Sequence, residues 1–118
     1  MCRLLLVVLC LWSAQLGAHT GMAVTIPDHD AVLTQAPTQL VFSFMGQVTL
    51  TNIHLENAAG VRIDLRLPRN SIGQSTAFGE TITLPLPLLA PEVYRVTWQA
   101  MSVDGHSIVD DFSFTVSQ

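Results

Sequence analysis

The sequence predicts a small all-β domain, a seven-stranded Greek-key sandwich or barrel. The main observation is an alternation of apolar and polar residues with a period of two, which is typical of strands with one buried face. Pro, Gly, Asn and Asp recur between the alternating runs, where turns are expected. No stretch keeps a helical period over a helix-length segment. Short strands separated by turns at this spacing are typical of β-sandwiches and small barrels.

Four strands are predicted in the first part of the chain. Residues 22–26 form a short, weak candidate that ends at Pro27. Residues 40–44 alternate three large apolar side chains with smaller ones, and residues 48–56 do so less regularly. Residues 61–67 alternate four aliphatic side chains with two Arg and one Asp, which predicts a strand with one face in the core.

Three more strands are predicted in the second part. Residues 81–84 are a weak candidate, followed by a Pro-rich connection at 85–91. Residues 94–100 and 112–116 carry aromatic side chains at alternating positions, which predicts that they form one wall of the core. Trp98 belongs to this wall. Of the scattered methionines, Met45 and Met101 are expected to fill core space rather than to act as thioether ligands.

The first eighteen residues have the pattern of a secretory signal peptide. A short positive start is followed by nine apolar residues, 4–12, and then by small and polar residues that end at Ala18. A helix of that length reaches about 14 Å, too short for a hydrocarbon core of about 30 Å, so an uncleaved anchor is disfavoured. We therefore expect removal of residues 1–18 and one domain over residues 19–118. Cleavage after Ala23 is an alternative.

Without residues 1–18 the chain is acidic and has no thiol. Both cysteines lie in that segment, and the rest of the chain carries nine acidic residues, four Arg and no Lys. This charge balance does not favour nucleic acids or anionic membranes, which bind basic surfaces. No nucleophile elbow or phosphate-binding glycine loop is present. The chemistry that remains is that of imidazoles and carboxylates.

Three residues are candidates for a metal site. Asp104 and His106 lie two residues apart between two predicted strands, so both side chains can point to the same side and ligate a metal or orient one another. His19 directly follows the predicted cleavage site, and an N-terminal His offers its α-amine and its ring as a chelate. Such nitrogen and oxygen ligands suit Cu(II). His29, between Asp28 and Asp30, is expected in a solvated loop rather than at a second metal ion, and His54 is expected to face outward without a role.

Several further motifs occur in a fixed order along the chain. They are His19 and Pro27, residues 30–33 (DAVL), Ala36-Pro37, residues 40–44 (LVFSF), Pro87-Leu88, residues 89–98 (LAPEVYRVTW), residues 102–106 (SVDGH) and residues 112–116 (FSFTV). In these motifs and their spacing the chain resembles the CopC family of periplasmic copper-resistance proteins. The resemblance extends over nearly all of residues 19–118.

This resemblance implies a seven-stranded sandwich with Ig-like, cupredoxin-like topology. It also implies a site for one Cu(II) per chain, in which His19 binds through amine and ring and Asp104 and His106 are the other ligands. The implied function is copper resistance or homeostasis in the periplasm, by buffering Cu(II) or delivering it to a membrane copper transporter or another copper protein. A monomer that is not an enzyme is expected.

The chain also departs from the family pattern. The Glu that some members carry after the second strand is missing at residues 45–47, so any outer-sphere help from that carboxylate is lost. There is also no Met- and His-rich loop that binds Cu(I), so we expect Cu(II) only. Asp110 stands where a Gly is usual. Two other classes of function stay open, a metal-independent interaction module and a copper oxidase or monooxygenase. The enzyme class is disfavoured because the chain has no spare length for a substrate surface.

Overall fold

The structure, a computed structural model, describes residues 23–118. These residues form strands, turns and loops, and they include no helix that is long and apolar enough to cross a membrane. The seven strands are β1 (Ala23–Ile26), β2 (Ala31–Leu33), β3 (Gln39–Asn57), β4 (Arg62–Ile63), β5 (Phe78–Pro85), β6 (Val93–Ser102) and β7 (Ser107–Val116).

The long strand β3 belongs to both halves of the fold. One half contains β1 and most of β5, and the other contains β4, β6, β7 and β2. Its first part, up to Phe44, pairs antiparallel with β1 and β5. Its second part, from Val48, pairs antiparallel with β6, with the start of β5 at Val48 and Thr49, and with β4 near its end. β6 continues into the hairpin partner β7, and β2 pairs with β7 in parallel. Backbone hydrogen bonds therefore join all seven strands into one curled sheet.

Aromatic side chains fill the space between the two halves. Phe42, on the first part of β3, lies with its ring centroid 5.8 Å from Trp98 on β6 and 6.0 Å from Phe112 on β7. Neither β6 nor β7 pairs with this part of β3, so these contacts cross the core. Tyr94 stacks on Phe114 at 5.5 Å, and its hydroxyl donates to the carbonyl of Ala90 at 2.6 Å.

The alternation of apolar and polar residues in the sequence matches the burial of their side chains. On β6, Tyr94, Val96, Trp98 and Ala100 are all buried, as the period of two predicts. In β3 a register irregularity between Leu50 and Asn52 shifts the alternation by one residue, so that Ile53 continues the buried face. The prediction of an all-β fold with seven strands is confirmed.

The make-up of the seven strands differs from the prediction. Residues 40–44 and 48–56, predicted as two strands, are one continuous strand, and β2 was not predicted. Of the predicted strand 61–67, only Arg62 and Ile63 pair with a neighbour. Alternation reports which face is buried, whereas pairing depends on which backbone lies alongside.

Two methionines that were predicted to fill the core are exposed instead. Met45 is 87% exposed at the point where β3 passes from one half of the fold to the other, and Met101 is 42% exposed near the end of β6. Met101 follows the buried Ala100, so strand alternation turns its side chain outward. The prediction that these side chains pack in the core is therefore wrong.

Candidate metal site

The turn between β6 and β7 carries two of the three predicted ligands. The backbone N–H of Ser102 donates to the carbonyl of His106 at 2.9 Å, and the N–H of Gly105 donates to the carbonyl of Ser102 at 3.0 Å. Gly105 has a φ of 89°, a conformation that residues with a Cβ rarely adopt. This tight turn holds Asp104 and His106 at the exposed tip of the hairpin.

The side chains of Asp104 and His106 are in direct contact. The distance between Nδ1 of His106 and Oδ2 of Asp104 is 2.8 Å, and the backbone N–H of His106 donates to Oδ1 of Asp104 at 3.3 Å. The Ser102 hydroxyl donates a further hydrogen bond to Oδ1. The hydrogen bond from Ser102, followed by those from His106, lowers the pKa of the Asp104 carboxyl to about 2. The carboxylate is therefore ionised over the physiological range of pH.

The pair presents a nitrogen and an oxygen donor to solvent. The side chains of His106 and Asp104 are 82% and 66% exposed. Within the described part of the chain, Nε2 of His106 has no hydrogen-bond or ion-pair partner. A metal ion that both side chains ligate would take the place of the contact between Nδ1 and Oδ2. Among residues 23–118, no group of three or more His, Cys, Asp or Glu side chains is placed to hold a metal ion.

The third predicted ligand, His19, lies outside the described residues. The first described residue, Ala23, begins β1 and pairs with Phe44 of β3. Ser102, the last residue of β6, pairs with Val48. The start of β1 and the end of β6 therefore both lie beside the middle of β3, where the strand passes from one half of the fold to the other.

The other two described histidines lie elsewhere. His29 accepts a hydrogen bond from the backbone N–H of Ser113 on its Nδ1 at 3.1 Å, so it links the loop before β2 to β7. Its Nε2 is 3.4 Å from Oδ2 of Asp30. His54 is half-buried on β3 and lines a groove beside β4. Neither contacts the Asp104–His106 pair.

Sequence reasoning did not assign a role to Ser102. The residue belongs to the motif at 102–106. In the structure its hydroxyl donates to Asp104 and its backbone closes the turn. A signal was present, because Ser and Asp side chains in turns commonly form local hydrogen bonds. Which of several hydroxyl partners the Asp104 carboxylate takes depends on the turn geometry.

Comparisons with known proteins agree with this architecture. The structure resembles CopC from Methylosinus trichosporium OB3b, with a TM-score of 0.66 and 22% identity over 81% of this chain and 92% of that one. It also resembles PcoC, a methionine-rich copper resistance protein from Escherichia coli, with a TM-score of 0.60 and 21% identity over 81% of this chain and 96% of that one. No curated protein sequence matches significantly. The family model of the CopC domain matches residues 22–117. The chain therefore belongs to the CopC domain family.

Proposed function

We propose that the protein binds one Cu(II) ion per chain outside the cytoplasm and buffers it or delivers it for copper resistance. The observation that carries the proposal is the pair of Asp104 and His106, held together on an exposed turn. Imidazole nitrogen and carboxylate oxygen suit Cu(II) by geometry and by affinity. Family membership and the likeness to a copper resistance protein support the same function.

The remaining donors are proposed to come from His19. Cu(II) favours about four donors in a tetragonal arrangement, and the hairpin turn supplies two. An N-terminal His19 adds its α-amine and its imidazole. The four residue steps from His19 to Ala23 span at most about 14 Å in an extended chain. The start of β1 beside the end of β6 supports a short path from that N-terminus to His106.

No catalytic role is part of this proposal. The pair lies on an exposed turn, and its chemistry is that of a binding site that takes up and releases an ion. The partner that receives the copper is proposed to be a membrane copper transporter or another copper protein. An export signal at residues 1–18 and a monomeric state in the periplasm belong to the same proposal.

The protein that begins at His19 is expected to bind one equivalent of Cu(II). Acetylating the α-amine of His19 should weaken binding strongly, because the amine can then no longer close a chelate ring with the imidazole. Both proteins are titrated with Cu(II) against a competing chelator, and the N-terminus of exported protein is sequenced.

A chain with His19→Ala serves as the matched control, because it keeps the free amine and loses only the ring. If all three proteins bind Cu(II) equally, or if exported protein begins elsewhere, His19 is not a ligand. If none of them retains Cu(II) against the chelator, the chain is a metal-independent interaction module instead.

Copper affinity is expected to rise with pH between about 5 and 8, where free imidazole and amino groups lose protons that compete with the metal. Asp104 should not contribute to this rise. Its pKa is depressed, so its ionised form is lost only as the pH falls towards about 2. Competition titrations across this range measure the slope. Asp104→Asn should lower the affinity at every pH and leave the slope unchanged, whereas a flat wild-type profile would indicate carboxylate ligands alone.

A further inference from the structure

A groove opens beside β3 where the predicted fourth strand leaves the sheet. β4 pairs with β3 only at Leu55 and Glu56, and the chain after Ile63 then diverges. The space between Asn52–Leu55 on one side and residues 62–69 on the other has a volume of about 480 Å³. This size lies within the range of natural ligand pockets. The groove is bounded by two stretches of strand-like backbone.

Both walls of the groove carry backbone groups without a strand partner. Within the described chain, residues 64–67 make no backbone hydrogen bond to one another or to a neighbouring strand. On the opposite wall, the backbone N–H of Asn57 donates to the carbonyl of Val61 across the edge of β3 that borders the groove. The backbone N–H of Ile53 points to the same edge, because alternate residues of a strand share a direction. The Ile53 N–H instead donates to Oδ1 of Asn52 at 2.9 Å. The groove is thus an interrupted ladder, the kind of edge that accepts an added strand.

The charge of the groove is opposite to that of the rest of the molecule. Residues 23–118 hold four Arg and nine acidic residues, yet three of the four Arg line this groove, where Asp64 is the one acidic lining residue. Glu56 lies just outside the lining, opposite Arg62 in the β3–β4 pairing. Arg62 and Arg66 are exposed and form no ion pair among the described residues. The fourth, Arg95, is paired with Asp111 outside the groove.

The spacing of Arg62, Asp64 and Arg66 predicts the spacing of charges on a ligand that binds in the groove. In an extended chain Arg62 and Arg66 lie about 13 Å apart, with Asp64 between them on the same side. An extended ligand that lies alongside matches them with acidic residues four positions apart and an uncharged residue midway. Ile53 and Leu67, both buried at the base of the groove, suit apolar residues at the alternate positions.

From these observations we propose that the groove binds an extended acidic segment of a partner protein, added as a strand beside residues 64–67. Main-chain bonds would supply affinity, and Arg62 and Arg66 would select carboxylates. A membrane surface fits less well, because the net charge of the chain is negative and the basic residues line a concave groove. Along β3 the groove begins four residues and ends seven residues after the pairing of Val48 with Ser102, which is about 13–23 Å from the end of β6 that leads to the proposed copper site.

The test uses metal-free protein and the fluorescein-labelled peptide Ser-Glu-Val-Thr-Val-Glu-Val-Ser, with fluorescence anisotropy as the readout. Arg66→Gln should weaken binding about fivefold, the upper range for an exposed charge pair. Arg95→Gln removes the same charge outside the groove and should leave binding unchanged. Hydrogen exchange should show new protection of the amides of residues 64–67 when the peptide binds. His106→Ala should bind the peptide as the wild type does, which separates this proposal from the copper proposal.

Four outcomes of the peptide experiments would overturn the proposal. They are equal binding of a peptide with Gln in place of both Glu, equal weakening by Arg66→Gln and Arg95→Gln, binding without protection of residues 64–67, and no binding of the acidic peptide to wild-type protein. Competition by inorganic phosphate or by phosphatidylglycerol vesicles as strong as that of unlabelled peptide would assign the groove to phosphate groups and also overturn it.

Discussion

His106→Ala is expected to reduce the affinity for Cu(II) by more than the roughly 10- to 100-fold that follows loss of an outer-shell partner. The imidazole is the only nitrogen that the β6–β7 turn offers to a metal through a side chain, and its removal leaves Asp104 as a lone oxygen donor there. A competition titration with a chelator measures the change directly. Thermal unfolding provides a second readout, because Cu(II) at about 100 times its Kd stabilises the wild type by about 2.7 kcal/mol. The variant should show almost none of this stabilisation at the same Cu(II) concentration.

His54→Ala and His29→Ala are the matched controls, since each removes one imidazole away from the turn. His54 lies on β3 beside β4, and His29 is engaged by the backbone of Ser113. Both variants should keep one equivalent of Cu(II). Emission from Trp98 reports binding, because bound Cu(II) should quench it. Met101 pairs with Ser107 at the turn, and Trp98 lies three residues before Met101, about 10 Å along β6. Loss of copper in His29→Ala but not in His106→Ala would move the site to residues 28–30.

Phe42→Ala is expected to destabilise the fold by about 3–5 kcal/mol, the usual cost of removing a buried aromatic side chain. Phe42 is completely buried. Its ring lies against Phe44 on the same part of β3, and it contacts Trp98 and Phe112 across the two halves of the fold. Small domains have about 5–15 kcal/mol of total stability, so the loss is a large fraction of the whole. Urea unfolding of metal-free protein, followed by Trp98 emission, measures the change in the free energy of unfolding.

Phe78→Ala is the control for this change, because it removes the same side chain from the first residue of β5, where it is 55% exposed. Its effect should be well below that of Phe42→Ala, since most of the ring is already in water. Equal destabilisation by the two substitutions would contradict the assignment of the core to the contact between the first part of β3 and strands β6 and β7.

Apart from Met45 and Met101, the alternation in the sequence was enough to assign the side chains that face the core. Strand alternation is a local property with a period of two, so Phe42, Trp98 and Phe112 could be assigned to buried faces without knowledge of their partners. The contact of Asp104 with His106 could be predicted for a similar reason, because two residues on either side of a glycine meet within one turn. His19 was predicted as the third ligand from the expected cleavage site and from resemblance, and it remains a prediction.

Which backbones pair could not be predicted from the sequence, because pairing depends on the tertiary structure. The joining of residues 40–44 and 48–56 into one strand, the parallel pairing of β2 with β7, and the early end of β4 all depend on segments distant in sequence. The exposure of Met45 likewise follows from the passage of β3 between the two halves. From the sequence, Arg62 and Arg66 are expected only on the solvent face of a predicted strand. They line a groove because the chain beyond Ile63 leaves β3, and periodicity carries no information about where two strands separate.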